Sequence, residues 1–291
     1  MSQPLRVGLV GAGPWAQAVH APGLAHHPAT ELTAVWARRP EAAAELGAPV
    51  AADFDELLSS VDAVSFAVPP AIQAELAVRA ARAGKHVLLE KPIAGSVTQA
   101  EDLATAIADA GVASMVVFIR RFAGETIDWL DDIHAVDGWA GANARWLSGA
   151  LLGGEYSGSV WRHQGGALAD IGPHVVDLLD AALGPVTDVL SAHVSEPDLW
   201  NVVLRHEGGA TSTLTLSMRL PMRPTVTEIS VYGEHGYRAV TGRATSGQDA
   251  YAVLLDEFTA MIRDGRTEHP LDVRRGLHIQ RVLDAIAAKI A

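Results

Sequence analysis

The run Gly11-Ala12-Gly13-Pro14-Trp15-Ala16 follows a short apolar stretch, Leu5–Val10, and leads into a second apolar-periodic segment. Few architectures satisfy a strand, two spaced glycines and a helix in that order. Gly11 permits a tight turn, Gly13 lets the backbone approach a ligand closely, and Ala16 keeps the helix against the strand. Pro14 suits the first turn of a helix, whose free N–H groups and positive dipole end attract phosphate. A lone glycine pair could merely turn the chain. Here the context that the dinucleotide fingerprint requires is present, with a strand before, a helix after and a second strand at 32–37. The alternation then repeats as strand 63–67, helix 71–83, strand 86–89, helix 98–110 and strand 113–118. Such alternation predicts a parallel, doubly wound α/β sheet that binds a dinucleotide beyond the carboxyl ends of its strands.

The end of the second strand bears on which dinucleotide. An NAD site usually offers a carboxylate there to the ribose 2′-hydroxyl, but this chain reads Trp36-Ala37-Arg38-Arg39-Pro40. Two guanidiniums suit a 2′-phosphate, so NADP is the expected cofactor and NAD the alternative. The competing view is that Arg38 and Arg39 are solvated loop charges. After the fourth strand comes Leu88-Leu89-Glu90-Lys91-Pro92, which puts Lys91 at the crevice side of the sheet. A lone lysine is otherwise most often a surface residue.

A second concentration of chemistry lies at Gly165-Gly166-Ala167-Leu168-Ala169-Asp170-Ile171-Gly172-Pro173-His174-Val175-Val176-Asp177. The apolar residues from Val175 to Leu183 form one stripe of a helix that Gly184-Pro185 ends. Asp170 and His174 are four apart and share a face if the helix has begun by Asp170. Pro173 favours a start nearer Gly172, with Asp170 in the entry turn. Either geometry lets a carboxylate orient an imidazole. The bland reading is a glycine-packed helix entry with a cap and a satisfied core histidine.

Length and charge narrow the classes. At 291 residues the chain has room for about two domains. A net charge of -12 with no Lys/Arg run argues against nucleic acid or an anionic membrane as partner. Zero cysteine excludes disulfides and thiolate metal sites, which fits a reducing, cytoplasmic setting. Residues 7–19 could pass for a secretory h-region, but the glycines within them weaken that reading, and no apolar run reaches membrane-spanning length. Beyond a boundary near Arg120, helix 125–133 and strand 142–147 precede the central helix, with Trp161 and Arg162 on a loop before it. Alternating β-branched runs at 186–194, 199–206, 211–218 and 227–232 predict an antiparallel sheet, with a hairpin turn at Glu207-Gly208-Gly209, and helices 250–263 and 273–289 close the chain.

Taken together these motifs resemble the glucose-fructose oxidoreductase / inositol dehydrogenase / rhizopine-catabolism (Gfo/Idh/MocA) family. The match includes Gly-Ala-Gly-x-x-Ala from Gly11, Val-Pro-Pro from Val68, Ala-Gly-Lys-His-Val from Ala83, Glu90-Lys91-Pro92, Arg121-Phe122, Trp161-Arg162, Gly165-Gly166 and Asp170-x-Gly-x-His174-x-x-Asp177. The resemblance implies a Rossmann domain, 1–120, followed by an α+β domain, 121–291, with a large open, mostly antiparallel sheet. It also implies NAD(P)-dependent oxidation or reduction of sugars, polyols or related carbonyls, and a homodimer or homotetramer built through that sheet. Carried onto this chain, it makes Lys91, Asp170 and His174 the catalytic group and adds Trp15, Val68, Pro69, Glu90 and Lys91 to Gly11, Gly13, Pro14, Ala16, Arg38 and Arg39 at the cofactor. Two positions depart from the pattern. Relatives commonly have asparagine where this chain has Ile119, and many have histidine near Gln73; the stretch 124–158 is also short.

Hydride removal from an alcohol carbon requires the hydroxyl proton to leave as well. Histidine, with an unperturbed pKa of about 6.5, accepts a proton near neutral pH, so His174 is the expected acid/base. Lys91 would hydrogen-bond the reacting oxygen and Asp170 would fix the ring or the substrate. Arg121, Tyr156, Trp161, Arg162 and His174 are the expected substrate-pocket residues, ordinary packing being the alternative for the first four. The account needs Lys91 and His174 to serve one nicotinamide. Three rivals remain: a metal hydrolase using His163, Asp170, His174 and Asp177, which leaves the glycine fingerprint unexplained; a non-catalytic NADP-sensing regulator; and a reductase of a diol, imine or tetrapyrrole. No metal is expected.

Overall fold

The computed structural model describes residues 3–290. Contacts divide the chain into two compact units, Met1–Ile119 with Gly247–Gln280, and Arg120–Ser246 with Arg281–Ala291. The segment 247–280, grouped on sequence with the second domain, therefore makes its contacts within the first unit. Its periodicity marks two helical stretches with buried stripes, but not which sheet the stripes meet.

In the first unit, β1 (Leu5–Val10), β2 (Thr30–Trp36), β3 (Ala63–Phe66), β4 (His86–Leu89) and β5 (Ser114–Val116) form a parallel sheet in the order β2-β1-β3-β4-β5. Strands β3 and β5 are buried at every position, as strands covered on both faces must be, and apart from Ser65 and Ser114 they are apolar. The expected strand 113–118 is only three residues long because the chain leaves it for a 3-10 turn at Ile119–Phe122. A helical segment begins at Pro14, passes through a π-turn at Ala16–His20 and continues as α1 (Ala21–His26). Two short helices that periodicity passes over, α2 (Pro40–Ala44) and α3 (Phe54–Ser60), follow β2. The crossover helices α4 (Pro70–Arg82) and α5 (Val97–Ala110) lie where expected.

The second unit contains α6 (Gly124–His134), β6 (Trp139–Leu147), α7 (Val160–Asp170), α8 (Gly172–Leu183), β7 (Val186–Ser195), β8 (Leu199–His206), β9 (Thr211–Ser217), β10 (Val226–Gly233) and β11 (Gly236–Thr241). The six strands order as β11-β10-β6-β9-β8-β7. All neighbours are antiparallel except β6 and β9, which run parallel, so the sheet is mostly antiparallel as expected, and β11 is an additional strand paired to β10. Alternation along β6 buries Ala142 and Ala144 and exposes Asn143 and Arg145, so one face meets α8 and the other stays open. Trp161 and Arg162, expected on a loop, are in the first turn of α7. Gly166 takes φ 60, ψ -157, which is not helical, so α7 is two helical stretches joined at a kink there. The last helices, α9 (Gly247–Arg263) and α10 (Val273–Ala288), match the expected spans.

Candidate active site

The first unit's ligand-facing features follow from how β1, β2 and β3 end side by side. Gly11 donates its N–H to Trp36 O at 2.9 Å, and Ala67 donates to Val10 O at 2.8 Å. Gly11 has φ +111, and a Cβ there would strike the Ala67 carbonyl oxygen, so only glycine fits the turn. At Gly13 a Cβ would meet nothing within 4 Å, which leaves the backbone open on the side where a pyrophosphate would lie. These observations fit the dinucleotide that the fingerprint implies. Val68 borders Gly11, and Pro69 precedes the first turn of α4. Arg38 and Arg39 are exposed just past β2, and Arg39 is the N-cap of α2.

The Glu90-Lys91-Pro92 turn is held by its neighbours rather than left loose. Gln73, on α4, donates Nε2–H to Glu90 O at 2.6 Å and to Ile93 O at 3.1 Å, while its Oε1 accepts the Glu90 N–H at 2.8 Å. An amide both donates and accepts, so one side chain serves the Glu90 N–H and two carbonyls of the turn. Glu90 Oε1 accepts from Trp15 Nε1–H at 2.8 Å and lies 3.1 Å from His20 Nε2, and Oε2 accepts the Lys91 N–H at 3.2 Å. Trp15 and Glu90, both expected at the cofactor, thus spend their polar groups on each other. Behind them, His20 Nδ1 is 2.8 Å from Ser65 Oγ and 3.2 Å from the Tyr251 hydroxyl. Serine, histidine and carboxylate in this order have the outline of a nucleophilic triad. Ser65 and His20 are 0% exposed, however, so no substrate reaches the hydroxyl. His20, Ser65 and Tyr251 went unnoticed in the sequence because no local pattern links positions 45 and 186 residues apart.

In the second unit α7 ends at Asp170, Ile171 bridges, and α8 begins at Gly172 with Pro173 in its first turn. Asp170 and His174 are both buried. Arg162 Nε donates to Asp170 Oδ2 at 2.9 Å, and its guanidinium lies 4.4 Å from the Tyr156 ring centre and 4.5 Å from the Trp161 ring centre. Four expected residues, Tyr156, Trp161, Arg162 and Asp170, are therefore one cluster. The His174 ring stacks on Trp146 of β6, with centroids 5.9 Å apart and planes 18° off parallel. Trp146 was missed, although it follows Ala142 and Ala144 on the inward face of β6 and that alternation could have found it. Arg121 Nη1 donates to both oxygens of Asp177, at 3.3 and 3.4 Å, so its guanidinium is engaged with α8.

The α7 kink has its own anchor. Asp198, at the β7–β8 turn, accepts the Ala167 N–H at 2.8 Å and the Trp200 Nε1–H at 3.0 Å. Burial raises its carboxyl above the ordinary range, and these bonds offset the shift only in part. Among the described residues, no group of three or more His, Asp or Glu could hold a metal ion, and no helix is long and apolar enough to cross a membrane.

Comparison with known proteins agrees with this geometry. Residues 5–118 match the model of an oxidoreductase family with an NAD-binding Rossmann fold, and 143–238 match the GFO/IDH/MocA C-terminal domain. The dTDP-3,4-didehydro-2,6-dideoxy-alpha-D-glucose 3-reductase of Actinomadura kijaniata is 31% identical over 263 residues, covering 83% of this chain and 74% of that protein. The enzyme of the same name from Streptomyces violaceoruber is 34% identical over 215 residues, 70% of this chain and 58% of that one. The WlbA dehydrogenase of Bordetella pertussis, solved with NADH and UDP-GlcNAcA, is 26% identical with a TM-score of 0.85 over 99% of this chain and 96% of that one. With both family models matched in order and a relative this similar over most of its length, the chain belongs to the GFO/IDH/MocA family of NAD(P)-dependent oxidoreductases.

Proposed function

We propose that this oxidoreductase transfers a hydride between NADP(H) and a hydroxyl-bearing or carbonyl carbon of a sugar, a polyol or a related compound. The observation that carries the reading is the α7–α8 junction, where a buried carboxylate closes one helix and a buried imidazole stands in the first turn of the next. When bound, the dinucleotide supplies the hydride donor or acceptor. Gly11, Gly13, Pro14, Ala16, Val68 and Pro69 hold its pyrophosphate side, and Arg38 and Arg39 hold the 2′-phosphate. Trp15 and Glu90 shape that site from behind.

His174 takes the hydroxyl proton in oxidation and returns it in reduction. Lys91 donates a hydrogen bond to the reacting oxygen as charge develops on it. Asp170, tied to Arg162, keeps the helix junction and the substrate in place. Tyr156 and Trp161 offer ring faces against which the C–H face of a sugar packs, and Arg121 stiffens α8 through Asp177.

Two measurements test this. A panel of sugars, polyols and keto-sugars with NADP(H), followed at the nicotinamide absorbance band, should show turnover. Tight NADPH binding with no turnover on any member would replace the enzyme by a dinucleotide-sensing regulator. For the cofactor, a charge-assisted hydrogen bond contributes roughly 1.5–3 kcal/mol before solvent screening. Replacing both Arg38 and Arg39 by alanine is therefore expected to raise the NADPH dissociation constant about tenfold or more, with NADH little changed. Equal dissociation constants for the two dinucleotides in the unaltered chain retire the assignment.

A further inference from the structure

Lys91 is only as well placed as the turn that carries it, and that turn is anchored by groups sealed from water. With a carboxylate facing Nε2, the His20 proton resides on Nε2, and Nδ1 is left to accept from a hydroxyl. Burial holds the Tyr251 phenol far above its ordinary range, so it remains a donor at any working pH. The single Nδ1 lone pair takes the nearer hydroxyl, Ser65 at 2.8 Å, and Tyr251 donates to Ser65 Oγ at 3.2 Å, so donation runs from Tyr251 through Ser65 to His20 and from His20 to Glu90, whose other oxygen takes the Lys91 N–H. The rings of His20 and Tyr251 lie 4.9 Å apart and tilted, which fixes the imidazole laterally. His20 ends the π-turn Ala16–His20, an irregularity that is rare in helices and concentrated at functional sites. Trp15, one residue before that turn, shares Glu90 Oε1 with His20. One carboxylate is thus bonded at once to the dinucleotide-binding helix and to the lysine turn.

We propose that His20 and Tyr251 are positioning residues for hydride transfer, acting through Glu90 to fix the Lys91 turn and to couple it to the dinucleotide-binding helix. The inference rests on the reading that Lys91 serves the reacting oxygen. Serine, histidine and glutamate here form a brace, since Ser65 and His20 are sealed from any substrate and only Glu90 is partly exposed. Glu90 acts as the shared acceptor, and Tyr251, by donating to Ser65, commits the serine hydroxyl to His20 Nδ1 and so helps hold the imidazole proton on Nε2.

The chain has three lysines, Lys85, Lys91 and Lys289, so the test can watch Lys91 directly. Acetylation with isotopic acetic anhydride, read by peptide mass spectrometry on the NADPH-bound protein, reports Lys91 with the other two as internal standards. In His20→Ala the Lys91 labelling rate is expected to rise about threefold or more, the factor that losing one net hydrogen bond brings, with Lys85 and Lys289 unchanged. Turnover should fall about tenfold, while KM and the NADPH dissociation constant stay within about twofold. His20→Gln, which keeps a donor toward Glu90, should restore most of both. Tyr251→Phe removes only a hydroxyl and carries the test if the alanine variant does not fold; a smaller change of the same sign is expected. Unchanged Lys91 labelling and turnover in the folded variants, or no restoration by glutamine, reduce the network to core packing and overturn the proposal. If the unaltered chain turns over no substrate yet Lys91 labelling still responds to His20→Ala, the hydride-transfer reading falls and the brace stands.

Discussion

His174→Ala is expected to lower turnover by about 10² to 10⁴-fold, the range typical of general acid/base catalysis, and to leave NADPH binding intact. The effect is specific because the imidazole stands on α8 in the second unit, whereas the glycine turn and the Arg38-Arg39 pair belong to the first. Some stability should go with it. The ring is buried against Trp146, and truncating it removes a stacked pair worth about 0.5–1.5 kcal/mol beyond its area. A thermal melt separates that loss from catalysis, because a shift of a few degrees leaves the protein folded at assay temperature. Fluorescence titration with NADPH supplies the second control. An alanine variant at full rate ends the acid/base role of His174, and loss of NADPH binding would mean that the substitution had done something other than remove a proton acceptor.

Gly166→Ala should be a strongly damaging single-methyl change in the second unit. At φ 60 and ψ -157 the residue occupies a region that is essentially restricted to glycine, where any other residue costs about 1–3 kcal/mol. The new Cβ would also strike the Asp198 carboxylate, which must then move and release the Ala167 N–H. A buried donor left without its acceptor costs about 1–3 kcal/mol more. The sum, about 2–6 kcal/mol, corresponds to a fall of very roughly 5–20 °C in the melting of the second unit. Activity should fall further than the unfolded fraction explains, because Asp170 ends the same helix. Gly208→Ala, where a Cβ meets nothing within 4 Å, is the matched control and should melt within about a degree of the unaltered chain. The Asp198 anchor has a definite pH sense as well. Its carboxyl is raised in the folded state, so the folded protein holds that proton more tightly than the unfolded chain. The associated stabilisation is present below the ordinary carboxylate range and is lost as pH rises through the folded value.

The parallel sheet was legible because its strands carry their signal locally. Val64 and Phe66, like Leu88 and Leu89, are buried among apolar neighbours, and each run is bounded by helix or turn residues. The glycine turn was legible for the same reason, its requirements being met within six residues. Helix α3 carries a readable cap, Asp53 accepting the Glu56 N–H at 2.8 Å, but seven residues are too few for periodicity to register. The start of α7 was hidden by Gly165-Gly166, because Gly166 interrupts the helical run and leaves only a short stretch before it. The Asp170–His174 spacing was visible, whereas the Trp146 stack depends on the register of β6 beneath α8. The brace around Glu90 was invisible for a deeper reason. Tyr251 reaches Ser65 from 186 residues away, and no window of the sequence contains both.

That last separation has a consequence for synthesis. Because Gly247–Gln280 completes the first unit, the amino-terminal 119 residues leave the ribosome without the helix that covers His20 and Ser65. The nascent sheet must wait through 127 further residues, Arg120–Ser246, before its final piece arrives. A chain cut short near residue 240 should therefore lose both halves rather than keep the first, and holdase chaperones should find their longest-lived client in that interval.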